Sequence, residues 1–308
     1  MLRPRTGPAP ALLLVLVVFL FACTSCSRAK RASTKPGVVD PVTSAAAAAA
    51  APSAPFVTHL LRKGPAPQDW RPLTPPAGVT EVRIPSDGRR LLAWLAYPKS
   101  SKAAALPVLV YLHGGFAFDS DDFDAARPFL QAGFAVLTPT SRGENGNDGA
   151  FEMMLGEVDD ALAAVAWVAE QPRIDRSRIY VFGHSSGGAL AALVSLRGDP
   201  RVRASGSAAG LFPPEVFKEW QADGPEPPFD PTSAAECQAR VVLPRTDRVK
   251  TRHIAYVASE EGWTAARARQ AMAPAVSAAA PFSVVVVPGS HGGILEPALD
   301  AFRRAIAE

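Results

Sequence analysis

A mostly apolar run at residues 178–182 (Arg-Ile-Tyr-Val-Phe) leads without a break into Gly183-His184-Ser185-Ser186-Gly187, and small and aliphatic residues follow at 189–196. The run has the composition of a buried strand, and the stretch after it that of a helix. A chain passing from strand to helix over five residues must double back sharply. Glycines at positions 183 and 187 remove the Cβ atoms that would collide as it does so. The pattern is Gly-x-Ser-x-Gly, in which a strained turn lifts a serine hydroxyl clear of the end of a strand. The strand before Gly183 and the helix after Gly187 are the context this pattern requires.

The rest of the chain supplies matching elements. Residues 107–112 and 134–138 read as buried strands, with a weak strand at 202–209 and further strands at 252–258 and 282–287. Residues 82–84 and 91–97 flank Ser86-Asp87-Gly88 and predict a hairpin. Helices are expected over 123–132, 156–171, 189–196, 263–273 and 296–307. Strands alternating with helices predict an α/β fold, a mostly parallel central sheet with an antiparallel N-terminal hairpin and helices on both faces. The proline-rich excursion at 213–231 lies where a cap can be inserted, and it is expected to shape a pocket.

A serine hydroxyl needs a base to become a nucleophile, and an imidazole suits that role. The chain has five histidines. His59 precedes the patterned region, His113 precedes the serine, His184 adjoins it with a side chain expected to point away, and His253 starts a strand. His291, in Pro288-Gly289-Ser290-His291-Gly292-Gly293, follows the last strand and is the expected base. The orienting acid should lie between Ser185 and His291 in chain order. The loop after strand 252–258 reads Ser259-Glu260-Glu261-Gly262-Trp263. It offers Glu261, with Glu260 as the alternative and Asp247 outside the loop as a third. His113-Gly114-Gly115-Phe116 ends strand 107–112. Main-chain N–H groups there, from Gly114 and Gly115, would join that of Ser186 in an oxyanion hole, with His113 orienting the loop. Cys237 sits in helical context and reads as a packing residue.

The N-terminus reads as an address. Arg3 and Arg5 precede an apolar run at 11–22, the length of a signal-peptide core and too short to span a bilayer. Leu20-Phe21-Ala22-Cys23 resembles a lipoprotein lipobox, with Cys23 the expected lipidation site and Cys26 a weaker one. The expected division is a signal peptide at 1–22, a disordered Ala/Pro-rich tether at 23–63 and a catalytic domain at 64–308. Export to the cell envelope follows, lipid-anchored to a membrane or periplasmic. A formal charge of +3 with interspersed signs excludes a nucleic-acid footprint.

From about residue 79 onward the chain resembles the catalytic domain of the prolyl oligopeptidase family of serine peptidases. The resemblance rests on Ser86-Asp87-Gly88, His113-Gly114-Gly115-Phe116, Ser141-Arg142-Gly143-Glu144-Asn145-Gly146, the helix bearing Asp159-Asp160, Gly183 to Gly188, and Gly289-Ser290-His291-Gly292. It implies an α/β-hydrolase fold, an acyl-enzyme mechanism at Ser185 and His291, and no cofactor or metal. The family usually carries Asp where this sequence offers Glu. Its larger members carry a β-propeller, for which the segment before the domain is too short. The implied substrate is a short peptide or a small-molecule ester. The alternatives are a carboxylesterase of the same fold, or an inactive hydrolase-fold lipoprotein that binds without turnover.

Overall fold

The computed structural model describes residues 56–99, 101 and 103–307. The apolar run, Cys23, Cys26 and the alanine tract lie outside the described residues. Strands β1 (Val79–Ser86) and β2 (Arg89–Ala96) form the hairpin, turned by Asp87 and Gly88 at φ of 45° and 77°. Two left-handed residues match the twist of a two-residue hairpin, and Asp-Gly tolerates them. Strands β3 (Leu106–Leu112), β4 (Ala135–Pro139), β5 (Ile174–His184), β6 (Val202–Ala208), β7 (His253–Ala258) and β8 (Phe282–Val287) complete one eight-stranded sheet. Its order is β1-β2-β4-β3-β5-β6-β7-β8, with β2 antiparallel to both of its neighbours, β1 and β4, and every other pairing parallel. The sheet is the predicted one.

Helices α1 (Ser120–Ala125), α2 (Arg127–Gln131), α3 (Gly156–Ala169), α4 (Ser185–Arg197), α5 (Val216–Asp223), α6 (Ala234–Ala239), α7 (Ala265–Ser277) and α8 (Leu295–Ala305) fill the connections. The central strands are apolar at nearly every position because both faces are covered. In β5, Ile179 and Val181 face the core beneath α3 and α4, whereas Tyr180 and Phe182 face the core with Phe123, Phe129 and Phe302 from α1, α2 and α8. Each large side chain buried this way contributes about 1.5–3 kcal/mol.

Two expectations change. The single helix expected over 123–132 is two, α1 and α2, broken at Ala126. Pro128 has no N–H to bond back into α1, and it is tolerated only because it opens a new helix. Residues 56–63, the end of the expected tether, lie against the domain. Thr58 Oγ1 donates to Glu236 Oε2 (2.8 Å), the His59 N–H to Glu236 Oε1 (2.7 Å) and the Leu61 N–H to Pro228 O (2.7 Å). Glu236 is also held by Arg240 Nη1 at 2.6 Å, so a buried ion pair supplies the acceptor that fixes this segment.

The segment after β4 is tied down by polar side chains. Arg142 donates to Asp160 through Nε (2.8 Å) and Nη2 (3.0 Å), and Asp160 also accepts the Ser86 hydroxyl (2.6 Å) and the Arg142 N–H (3.0 Å). Both side chains are buried, at 7% and 1% exposure. Removing one partner of such a pair strands the other charge. Asp160→Ala is predicted to lower unfolding free energy by about 3–5 kcal/mol in urea titrations. Asp159→Ala, which loses only an exposed pair with Arg197, is predicted to cost under about 1 kcal/mol. Equal losses in the two variants would contradict this.

Candidate active site

Ser185 is where β5 becomes α4, and its backbone is left-handed at φ 53°. A non-glycine residue pays roughly 1–2 kcal/mol for that conformation. The neighbours explain why the turn holds. A Cβ on Gly183 would lie 2.1 Å from Gly187 O, and one on Gly187 would lie 2.2 Å from the carbonyl oxygens of Leu112 and His113. Backbone packs on backbone at both places, so only glycine fits, and α4 sits directly against the end of β3.

His291, Ser185 and Glu261 come together. The Ser185 hydroxyl donates to His291 Nε2 at 2.9 Å, and His291 Nδ1–H donates to Glu261 Oε1 at 2.7 Å. The carboxylate fixes the tautomer that leaves Nε2 free to accept a proton. Two loops set this alignment. The Glu260 N–H donates to Gly289 O (3.1 Å), and the Gly289 N–H to Ser259 Oγ (3.3 Å). This two-bond zipper locks the loop after β7 to the loop after β8. Glu260 spends its main chain on the zipper and makes no side-chain hydrogen bond to His291, nor does Asp247 from its 3-10 segment Leu243–Arg248.

His184 has a part that the sequence did not suggest. Its side chain makes no hydrogen bond to the Ser185 hydroxyl; Nε2–H donates to the His291 carbonyl at 3.1 Å, with the two rings 5.2 Å apart. Burial holds its pKa below the ordinary histidine value, so a neutral ring props the main chain of His291. The sequence carried no signal for this, because the direction of a side chain beside a left-handed serine is not legible from spacing.

The loop after β3 is pinned peptide by peptide. His113 Nδ1–H donates to Gly114 O (3.0 Å) and Nε2–H to Glu144 Oε2 (3.2 Å), and Ser186 Oγ donates to Gly115 O (2.6 Å). Asn145 clasps Phe118 through both its N–H (2.8 Å) and its carbonyl (2.9 Å). Glu144 and Asn145 were part of the segment carrying the family resemblance, but no role could be given them. Among the described residues, the N–H groups of Gly114, Gly115 and Ser186 donate to no protein acceptor. That of Ser186 is free because it opens a helix.

A cavity of about 480 Å³ opens beside Ser185 and His291, within the usual range for small-molecule sites. The proline-rich excursion lines it with Pro213, Val216 and Trp220, as expected of a cap, and Trp263 and Arg267 line it as well. Trp220 is seated by edge contacts to Phe212 (5.4 Å), Phe217 (5.7 Å) and Phe116 (6.1 Å). The remaining cysteine, Cys237, is buried with Sγ against Pro231 O, and His253 is buried between Ser205 and Ser207.

His113 gives the loop a pH dependence. Burial alone would lower its pKa, but the Glu144 carboxylate beside it prevails and raises it to about 9. A folded pKa above the unfolded value of about 6.5 stabilises the fold fully below that value, and this contribution is lost as pH rises through about 9. Parent protein is predicted to lose more urea resistance between pH 6 and pH 10 than His113→Gln does. Parallel pH profiles would contradict the assignment.

Residues 87–224 match the family model described as X-Pro dipeptidyl-peptidase (S15 family). The chain is 28% identical over 116 residues to the uncharacterized peptidase YtmA of Bacillus subtilis, covering 36% of this chain and 43% of that protein. It is 34% identical over 137 residues to an uncharacterized protein of Mycobacterium tuberculosis, covering 44% and 47%. The chain thus spans less than half the length of these curated relatives. Among solved structures, a puromycin-hydrolyzing peptidase of M. tuberculosis superposes with a TM-score of 0.60 at 19% identity, over 75% of this chain and 40% of that one. Pyrococcus horikoshii acylaminoacyl peptidase gives 0.58 at 17%, over 74% and 40%. Est1E of Butyrivibrio proteoclasticus, solved with ferulic acid bound, gives 0.56 at 19%, over 74% and 100%. The chain has the α/β-hydrolase fold of these structures, and its residues 87–224 are similar to the S15-family peptidase model.

Proposed function

We propose that the protein hydrolyses ester or amide bonds of small esters or short peptides through an acyl-enzyme on Ser185. The observation that carries this reading is the unbroken relay from Ser185 Oγ to His291 Nε2 and from His291 Nδ1 to Glu261. Ser185 Oγ attacks the substrate carbonyl carbon as its proton passes to His291 Nε2. The Gly115 and Ser186 N–H groups, with Gly114 beside them, receive the negative charge that forms on the carbonyl oxygen. The tetrahedral species collapses, and the leaving alcohol or amine takes the proton from His291. Water then attacks the acyl group by the same route in reverse and frees Ser185. Glu261 holds the imidazole in its working tautomer and offsets the charge of the imidazolium. Its carboxylate is one-third exposed (34%), so solvent shares part of that load.

We infer that the chain is exported and lipid-anchored through Cys23. The support is the arginine-flanked apolar run ending in Leu20-Phe21-Ala22-Cys23. Among the described residues no helix is long and apolar enough to cross a membrane. Palmitate incorporation that is lost in Cys23→Ser would support the anchor, and incorporation that survives would overturn it.

The catalytic reading is tested with p-nitrophenyl esters beside aminoacyl-p-nitroanilides. Ser185→Ala is predicted to lose about 10⁴-fold or more in kcat. Glu261→Gln is predicted to lose about 10²-fold or more, because it favours the wrong tautomer. Glu260→Gln should stay within about threefold of the parent, since only its main chain is engaged. Equal damage from the two glutamate substitutions, or turnover surviving in Ser185→Ala, would refute the assignment. The ratio of ester to anilide turnover sets the substrate class.

A further inference from the structure

The glycine loop after β3 has three peptide planes, and two of them are anchored from within the site, through His113 to Gly114 O and through Ser186 to Gly115 O. The plane joining Gly115 to Phe116 needs a second anchor at its N–H end. Gly115 lies at φ 69°, a region where glycine moves freely, so one hydrogen bond to its carbonyl leaves the plane able to tilt. The second anchor comes from 48 residues upstream: the Phe116 N–H donates to Gln68 Oε1 at 2.8 Å. The approach is close, since a Cβ on Gly115 would lie 2.6 Å from that same oxygen.

The segment that brings Gln68 is itself fastened. The Ala66 N–H donates to Gly143 O (3.0 Å), and the Phe151 N–H to Gly64 O (2.9 Å). Trp70 lies over Gly146, where a Cβ would meet its ring at 2.9 Å. These three contacts all fall on the 143–151 stretch that follows β4. The segment is thus a strap, held at its ends on one loop and reaching across with Gln68 to the next.

We propose that Gln68 is a positioning residue for the oxyanion hole. Resting on the hydrolase reading above, it fixes the Gly115–Phe116 peptide so that the preceding Gly115 N–H points at the reacting oxygen. Without it the plane tilts toward presenting the Gly115 carbonyl, whose negative end opposes the developing charge. Only an acceptor at position 68 serves, so a carboxylate should replace the amide while a methyl group should not. Gln68 is exposed, so substitution there leaves the core untouched. Misplacing one donor slows the transition state without weakening ground-state binding.

The test is steady-state ester kinetics on the full chain, with main-chain amide exchange at Phe116 measured alongside. Gln68→Ala is predicted to lower kcat about tenfold with KM within about twofold, and to speed Phe116 exchange about tenfold. Gln68→Glu should restore both to within about threefold, and Asp69→Ala, an adjacent surface change, should alter neither. A merely structural strap would move KM or melting temperature and would not distinguish Glu from Ala. Parent-like kcat in Gln68→Ala, or failure of Gln68→Glu to rescue, overturns the proposal. If the parent turned over no ester, the hydrolase reading would fall, and Phe116 exchange would still decide: faster exchange in Gln68→Ala alone supports the strap, and unchanged exchange overturns it.

Discussion

Everything in the site depends on one backbone-to-backbone contact, that of α4 against the end of β3. The carbonyls of Leu112 and His113 occupy the space a Cβ on residue 187 would need. This contact places the first turn of α4 beside the loop that leaves β3. It brings the Ser186 N–H and the Gly115 N–H into one neighbourhood, although they are far apart in sequence. It also forces Ser185 into a left-handed conformation at φ 53°, which a packed core must sustain. The cost is met by the cover on both faces of β5, where Phe182 and Val181 are fully buried.

Around that fixed point the remaining groups are placed by main-chain bonds more than by side-chain packing. The zipper between Glu260 and Gly289 and the prop from His184 to His291 both act on loops at the carboxyl ends of parallel strands. Such loops are where an open α/β sheet offers a crevice. The relay is only part-buried, with His291 at 42% side-chain exposure. Its short contact to Glu261 is therefore a matter of geometry imposed by two locked loops, with little help from a low dielectric. Behind the loop after β3 the balance is different. His113, Glu144, Arg142 and Asp160 are all buried, and each is bonded, so this layer is rigid where the relay is accessible.

The fold was legible because its signals are local. The strand–turn–helix junction at 178–196, the Asp87-Gly88 turn and the apolar runs each declare themselves within about twenty residues or fewer. The serine and the histidine were legible for the same reason, since chain order and strand ends leave few candidates. For the acid the sequence offered Glu261 first, with Glu260 and Asp247 left open as alternatives. Choosing Glu261 depends on a hydrogen bond between two loops about thirty residues apart, which a linear pattern does not encode. The break at Ala126 shows Pro128 overriding a helical apolar spacing. Thr58 and Gln68 were invisible because their partners, Glu236 and Phe116, are non-local and the segment around them has no period. The docked segment at 56–63 was read as tether on composition alone, and composition cannot register a buried carboxylate waiting for donors.

The central claim is that Ser185 is the activated hydroxyl of this relay. The most direct measurement is peptide mass mapping after treatment with a fluorophosphonate, which forms a stable phosphonyl ester with a serine that a base has activated. The account predicts stoichiometric addition confined to the peptide containing Ser185, and none in His291→Ala. An intact chain that gains no adduct, or one that carries it on a different residue, would contradict it.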